Sequence, residues 1–369
     1  MREGGSRIMK IDIREPLAIS LLERLEDASY SDYILFGHQN AGHIGVSITA
    51  KDGTQSDVKN LVGKHPAVVG VDTLSFWGYE GKMDDLIKVV KQLHKEGVII
   101  TLSSHMPNFA LGGKEFIDYT PNMTDGNVGE RLLPGGDLNS KFLKFLNAIA
   151  EFVNGCIDIN GERIPMIFRP FHESNGDWFW WGPKHMSDES FVALFRYTID
   201  YLRNVKGIRS LLYSYSPNGP IDSMSQYMKR YPGDEYVDVL GLDMYWDRPQ
   251  HGDPFLGKIL TSLEIISDVA ASHGKVYAIT EIGIRTLDSS SAGYYEGLAP
   301  AGNSVKDWFS LLNSTLCSKE EGKRCAYVLT WANFSEGQFW VPYEKGDFRH
   351  EMCDDFIKFC NSDTIKLAP

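Results

Sequence analysis

Two glutamates, Glu173 and Glu281, each stand at the end of an apolar, β-rich run of the sequence. A pair of carboxyl groups can cleave a glycosidic bond when one is protonated and releases the leaving sugar. The other must then be ionised to attack or stabilise the anomeric carbon. A single glutamate at a strand end more often serves as a salt-bridge partner or a helix cap. The hypothesis therefore depends on whether the fold brings the two residues together.

Polar or aromatic residues end the other apolar runs as well. They include His38, Asp72, His105, Asn218, Asp243, Tyr245 and Trp331, while Arg169 and His172 precede Glu173. The carboxyl ends of the strands form the active site when eight such strands close into a barrel. Polar residues at every strand end are better explained by one shared site than by stability alone.

Eight apolar runs recur along the chain with helix-length segments between them. They cover residues 33–36, 67–74, 98–105, 165–172, 210–215, 237–245, 276–281 and 326–331. Most are continuous rather than alternating, which is typical of strands buried on both faces of a parallel sheet. Eight strand–helix units favour an α/β fold, a (β/α)8 barrel, over an open doubly wound sheet, and no GxGxxG fingerprint follows any strand.

The segments between the runs have amphipathic, helical spacing, notably residues 83–96, 141–153, 190–204 and 261–273. We expect a further helix over residues 16–28 that covers the bottom or side of the barrel. Residues 1–15 are interpreted as a leader or flexible N-terminus, and residues 16–369 as a single catalytic domain. Residues 108–137 and 287–303 are rich in Gly, Asn, Asp and Ser, and we expect both at the catalytic face.

Composition excludes several classes of partner. The formal net charge of −12 argues against nucleic acid and anionic membranes, which attract clusters of Lys and Arg. No apolar run is long enough for a transmembrane helix, and no signal peptide is visible. The five cysteines leave at least one thiol outside any intrachain disulfide.

A metal site and a sugar platform are the two further hypotheses. His38, His105 and His172 could together hold zinc, but no metal-binding spacing is present, so we expect neither a metal nor a cofactor. The aromatic run 178–181 could belong to the core. Because it follows an Asn-Gly-Asp turn beside a predicted catalytic strand, we interpret Trp178 as part of a surface on which a sugar ring stacks.

At these residues the sequence resembles glycoside hydrolase family 26, whose best-known members are β-mannanases. Residues 168–182, FRPFHESNGDWFWWG, look like the acid/base signature of that family, and residues 279–285, ITEIGIR, look like its nucleophile strand. Shorter matches occur at residues 36–39, 194–197, 215–218, 231–234 and 239–245.

The resemblance implies a retaining enzyme that acts on β-1,4-mannan without a cofactor. Glu173 would be the acid/base and Glu281 the nucleophile, while His172 and Tyr245 would position or hydrogen-bond them. His105, Trp178, Asp243 and Trp331 would shape the subsites near the cleaved bond. The implied protein is a monomer that is secreted, periplasmic or attached to the cell surface.

The sequence departs from the family after the strand-eight tryptophan, where related mannanases can carry an arginine that holds a distal sugar. Ala332 stands at that position here. This leaves open whether the enzyme is endo-acting or an exo-acting mannobiohydrolase. The same machinery could also act on β-1,3-xylan or mixed-linkage β-glucan, and a glycan-binding barrel without catalysis is a further possibility from a different functional class.

Overall fold

The computed structural model describes residues 13–78, 80–111, 119, 127–286 and 297–369. Most of the expected N-terminal leader therefore lies outside the described residues. The same is true of residues 112–118, 120–126 and 287–296, which belong to the two loops expected at the catalytic face.

Eight parallel strands close into a barrel in the order of the sequence, because β1 pairs with both β2 and β8. This confirms the predicted (β/α)8 fold. The strands are β1 Ile34–Gln39, β2 Val68–Asp72, β3 Ile99–Ser103, β4 Met166–Arg169, β5 Leu211–Tyr215, β6 Val239–Asp247, β7 Val276–Arg285 and β8 Tyr327–Thr330.

Helices pack around the barrel in the expected places. They are α1 Pro16–Ser29, α2 Asp57–Val62, α3 Met83–Lys95, α4 Val128–Leu132, α5 Asn139–Gly155, α6 Asp188–Asp200, α7 Met224–Met228, α8 Phe255–His273, α9 Trp308–Cys317, α10 Glu320–Lys323 and α11 Cys353–Cys360. The helix expected over residues 190–204 changes to π-helical geometry at Tyr201–Val205.

Helix α3 shows why these segments are helical. Its buried residues Leu86, Val89, Val90 and Leu93 are spaced three and four residues apart, so they form one apolar face. Two acidic residues occupy the first turn and two basic residues the last turn, which complements the helix dipole. Sequence alone therefore predicts both the helix and the face that it buries.

The bottom of the barrel is covered by α1, as expected from residues 16–28. Leu21 and Leu25 pack in one apolar cluster with Val68, Leu212 and other inward-facing strand residues. A short strand near the C-terminus, Ile365–Lys366, pairs in parallel with the first two residues of β1. Two further short strands, Glu344–Lys345 and Phe348–Arg349, form a separate hairpin.

Strands β6 and β7 are longer than predicted, since the sequence suggested ends at Tyr245 and Glu281. They remain paired as far as Asp247 and Arg285. The register shifts by one residue after Leu242, so that Asp243 pairs with Glu281. Such a bulge redirects side chains locally. Because β7 continues to Arg285, Glu281 lies within the strand rather than at its end.

No helix among the described residues is long and apolar enough to cross a membrane. All five cysteines lie in the described ranges, and none of them forms a disulfide. The structure thus agrees with the expectation of at least one free thiol and extends it to all five.

Candidate active site

Glu281 lies at the centre of the barrel mouth and is held by two side chains from neighbouring strands. The Tyr245 hydroxyl donates a hydrogen bond to Oε2 of Glu281 at 2.7 Å. The guanidinium of Arg169 donates to Oε1. The carboxylate is only 4% exposed, so these two donors fix its orientation.

Arg169 also binds Asp243 beneath Glu281. Its Nη1 lies 2.7 Å from Oδ2 of Asp243, and the Thr280 hydroxyl donates to Oδ1 at 2.5 Å. Burial opposes a charged guanidinium, but the carboxylates of Asp243 and Glu281 raise the pKa of Arg169 above its ordinary value. Arg169 therefore serves the site as a buried cation.

Asp243 was expected to shape a subsite near the cleaved bond. It is fully buried and bonded to Arg169 and Thr280. Its contacts support an indirect role, in which it holds Arg169 against Glu281.

Glu173 follows β4 in a turn with an uncommon backbone. Phe171 and Glu173 have φ angles of 51° and 50°, in the left-handed region that non-glycine residues seldom adopt. The backbone N–H of Glu173 donates to the carbonyl of Ser216 at 2.7 Å, which ties the turn to the loop after β5. Residues held in this way often occur at functional sites, where the surrounding structure stabilises the strain.

The side chain of Glu173 faces Glu281 across the barrel mouth. One carboxyl oxygen each from Glu173, Asp243 and Glu281 lies within 4.8 Å of the other two. Burial and the negative charge of Glu281 raise the pKa of Glu173 to about 7. At neutral pH this carboxyl is therefore available as a proton donor, which an ordinary glutamate is not.

Trp178 is the exposed member of the aromatic run. It is 45% exposed, and its Nε1–H donates to Oε2 of Glu173 at 2.6 Å. Gly176 makes this arrangement possible, because a Cβ at that position would lie 2.3 Å from the Trp178 ring. Phe179, Trp180 and Trp181 are buried, so the core interpretation is right for these three.

His105, His172 and Trp331 form an aromatic wall of the site, separate from Trp178. The His105 ring lies 4.6 Å from that of His172 and 5.7 Å from that of Trp331, in edge-on contacts. Their aromatic edges and faces are suited to packing against a sugar ring. Of the eight residues to which the family resemblance gave a role, five are thus linked to another of them or to Arg169 by hydrogen bonds, and three are linked to one another by ring contacts.

Asp72, which ends β2, orients His105. Its Oδ2 lies 2.8 Å from Nδ1 of His105 and accepts a hydrogen bond from Ser103 at 2.6 Å. Burial opposes charge on both groups, but their attraction lowers the pKa of Asp72 to about 2 and raises the pKa of His105. The carboxylate of Asp72 therefore favours the protonated form of His105.

Three carboxyl groups at the barrel mouth form a candidate metal site. Within the described parts of the chain, Glu173, Asp243 and Glu281 are the one set whose ligand atoms approach closely enough to hold an ion. The guanidinium of Arg169 already contacts two of these carboxylates. His38, His105 and His172, the residues of the hypothetical zinc site, form no such set among those described residues.

Three site residues were overlooked or left unassigned by sequence reasoning. Thr280 supports Asp243, Ser216 contacts both Arg169 and the Glu173 turn, and Arg285 lies over Tyr245. Arg285 could have been recognised from the sequence only if the predicted β7 had continued to that residue. Its contact with Tyr245 depends on the pairing of β6 and β7.

Comparisons with known proteins agree with this geometry. The model of Glycosyl hydrolase family 26 matches residues 18–296. The catalytic domain of a GH26 endo-β-1,4-mannanase from Bacillus sp. JAMB-750 superposes with a TM-score of 0.88 at 36% identity, covering 97% of this chain and 93% of that chain. A GH26 β-mannanase from Bacteroides ovatus gives 0.81 at 29% identity, covering 96% of each chain.

A mannan endo-1,4-β-mannosidase of Bifidobacterium adolescentis is 37% identical over 333 residues, which are 86% of this chain but 31% of that protein. A Bacillus subtilis protein of the same name is 26% identical and matches over 63% of this chain and 62% of its own length. This chain thus spans about a third to two thirds of these curated relatives. The match to the family model over most of its length nonetheless shows that the chain belongs to glycosyl hydrolase family 26.

Proposed function

We propose that this protein hydrolyses β-1,4-mannosidic bonds within mannan, galactomannan or glucomannan, with retention of the anomeric configuration. The observation that carries the proposal is the close approach of Glu173 and Glu281, whose carboxyl oxygens lie within 4.8 Å. Retaining glycosidases hold their two carboxyl groups about 5–5.5 Å apart, whereas inverting enzymes leave room for a water. The choice of mannan follows the names of the relatives.

In the first step Glu281 attacks the anomeric carbon and forms a glycosyl-enzyme ester. Tyr245 and Arg169 hold its two oxygens, so the attacking atom is fixed before the substrate arrives. Glu173, protonated because of burial and the nearby Glu281 charge, gives its proton to the departing sugar oxygen. Glu173 is then a base for the water that hydrolyses the ester.

The aromatic side chains supply the sugar-binding surface. Trp178 presents an exposed ring beside Glu173, and Trp331 lies against His105 on the other wall. We propose that these residues, with His172, stack on or pack against the sugars on either side of the cleaved bond. No cofactor or metal takes part in the proposed steps, because two carboxyl groups suffice for double displacement.

A mannan chain is a polymer too large to enter a cell, so we place the enzyme outside the cytoplasm, secreted, periplasmic or on the cell surface. We propose that residues 16–369 act as one catalytic domain and that the protein is a monomer. Endo action is proposed from the names of the relatives. Chromatography of products from mannan, mannohexaose, β-1,3-xylan and mixed-linkage β-glucan tests substrate and mode together, and mannobiose as the sole early product would indicate exo action.

The roles of the two glutamates are tested by azide rescue. Glu173→Ala should be slow on mannan but should form the glycosyl-enzyme from an aryl mannoside with a good leaving group, since such a leaving group needs no acid. Azide, which needs no base, should then restore turnover and give the β-mannosyl azide. Glu281→Ala should trap no intermediate, and any azide product should be the α-anomer.

The exposed Glu320→Ala substitution on α10 is the matched control and should behave as the wild type. If Glu173→Ala gave the α-azide and Glu281→Ala the β-azide, the two roles would be exchanged. Wild-type protein that binds mannan without cleaving any glycan would instead identify a binding module.

A further inference from the structure

A salt bridge joins the carboxyl ends of β6 and β7, four residues past Glu281 on β7. Asp247 and Arg285 are paired across the strands, and Arg285 donates to both Asp247 oxygens, at 2.6 and 2.8 Å. The two parallel bonds match the planar guanidinium to the carboxylate and restrict its orientation. The Arg285 side chain is 19% exposed, so it is more than a surface charge.

Arg285 in turn covers Tyr245. The centre of its guanidinium lies 4.8 Å from the centroid of the Tyr245 ring. An arginine stacked on an aromatic face is attracted to the ring and limits the rotation of the ring about its side-chain bonds. The hydroxyl of that ring donates the 2.7 Å hydrogen bond to Glu281. A continuous series of contacts therefore runs from Asp247 through Arg285 and Tyr245 to Glu281.

The same cation acts on Glu173. Glu173 faces the charges of Glu281 and Asp243 and those of Arg285 and Arg169, besides the Trp178 hydrogen bond. Burial and Glu281 raise the pKa of Glu173, while Arg285 and Arg169 lower it. Arg169 already forms salt bridges with Asp243 and Glu281. Arg285 is thus the more exposed of the two cations that limit this rise.

We propose that Arg285, held by Asp247, is a positioning residue that fixes the Tyr245 ring so that its hydroxyl stays on Glu281. The inference rests on the proposed function, because it concerns the residue that would attack the sugar. Arg285 acts on Glu281 through Tyr245, and its charge acts on Glu173. Misplacing a reacting group by a small distance can cost about a hundredfold in rate, so the loss of this support should be measurable.

The test compares two substitutions at Arg285 with a matched control. Arg285→Met removes the charge and the salt bridge, and Arg285→Lys keeps the charge but loses the paired bonds and the planar stacking. Arg203→Met is the control, because Arg203 also lies over a tyrosine, 5.2 Å from the Tyr213 ring, outside the site. We expect kcat on mannohexaose to fall about ten- to a hundredfold in Arg285→Met, with KM within about twofold.

The pH profile separates positioning from a general loss of structure. Without Arg285 the pKa of Glu173 should rise, so the alkaline limb of kcat/KM should move to higher pH in Arg285→Met. In Arg285→Lys the limb should stay in place while kcat falls, since the charge is kept. In a Tyr245→Phe background, Arg285→Met should cost little further kcat, because both changes break the same series of contacts.

Three results would overturn the proposal. These are an unchanged kcat in Arg285→Met, the same loss in the Arg203→Met control, or full additivity with Tyr245→Phe. Each presupposes a wild-type enzyme that cleaves mannohexaose. A wild type without that activity refutes the proposed function itself, so the two failures are distinguishable.

Discussion

Replacing Glu281 by Gln should lower the pKa of Glu173. The substitution keeps the size and shape of the side chain but removes its negative charge. Burial is the first cause that raises the pKa of Glu173 to about 7, and the charge of Glu281 is the second. The pKa should therefore fall in Glu281→Gln and still remain above the ordinary value of about 4.5.

The size of the fall can be bounded from the separation of the two carboxyl groups. At 4.8 Å, two unit charges repel by about 0.9 kcal/mol in water and by about 3.5 kcal/mol at an effective dielectric constant of about 20. These energies correspond to roughly 0.6 and 2.5 pKa units. Because the Arg169 guanidinium neutralises part of the Glu281 charge, we expect a fall of about one unit.

The assay is a titration of the Glu173 carboxyl carbon by NMR in protein labelled at glutamate side chains. It needs no turnover, so it works in an inactive variant. Glu173→Gln protein assigns the resonance. Glu320→Gln, in which an exposed carboxylate on α10 is neutralised, is the control and should leave the pKa of Glu173 unchanged.

A pKa of Glu173 that stays the same or rises in Glu281→Gln would refute the reasoning. Such a result would mean that the two carboxyl groups do not face each other closely enough to interact. The pH dependence of the wild-type enzyme independently checks that Glu173 acts in its protonated form. The proposed acid is active while protonated, so kcat/KM should decline as the pH rises through about 7.

Three further predictions follow from the same geometry. NMR spectra taken early in hydrolysis should show the β-anomer as first product, because the carboxyl groups are close together; first appearance of the α-anomer would contradict this. Trp178→Phe should raise the pKa of Glu173 by removing its 2.6 Å hydrogen bond, and it should change the free energy of unfolding by less than about 1 kcal/mol, since the ring is half exposed; a large drop in melting temperature would favour a core role instead. Asp72→Asn should lower the pKa of His105, measured by imidazole NMR, because burial then acts without its counter-charge; an unshifted titration would show that the ion pair is unimportant.

Much of the barrel could be predicted because its signals are local. A parallel strand buried on both faces is a continuous apolar run, and an amphipathic helix repeats its apolar residues every three or four positions. Both patterns can be recognised without knowing the fold. The order of the eight runs then predicted that the carboxyl ends of the fourth and seventh runs share one rim, which places Glu173 near Glu281.

The features that were missed depend on contacts between distant residues. The bulge at Thr280 and the continued pairing to Arg285 depend on how β6 and β7 align, which neither strand encodes alone. Trp178 was singled out from its turn, but four aromatic residues in a row do not reveal that the other three pack into the core. Gly176 is the local signal for Trp178, but its meaning becomes clear only once the ring is seen to pack over it.

The close grouping of Glu173 and Glu281 implies that the total charge of the site is conserved through the proposed reaction. The proposed mechanism starts with a negative charge on Glu281 and a proton on Glu173. In the glycosyl-enzyme Glu281 is a neutral ester, and Glu173 has given up its proton and become negative. The proposed steps move no proton to or from Arg169 or Asp243, so the negative charge only moves from one side of the sugar to the other. Because isolated charge in a buried site is costly, this exchange lets the barrel complete both halves of the reaction without admitting a counter-ion.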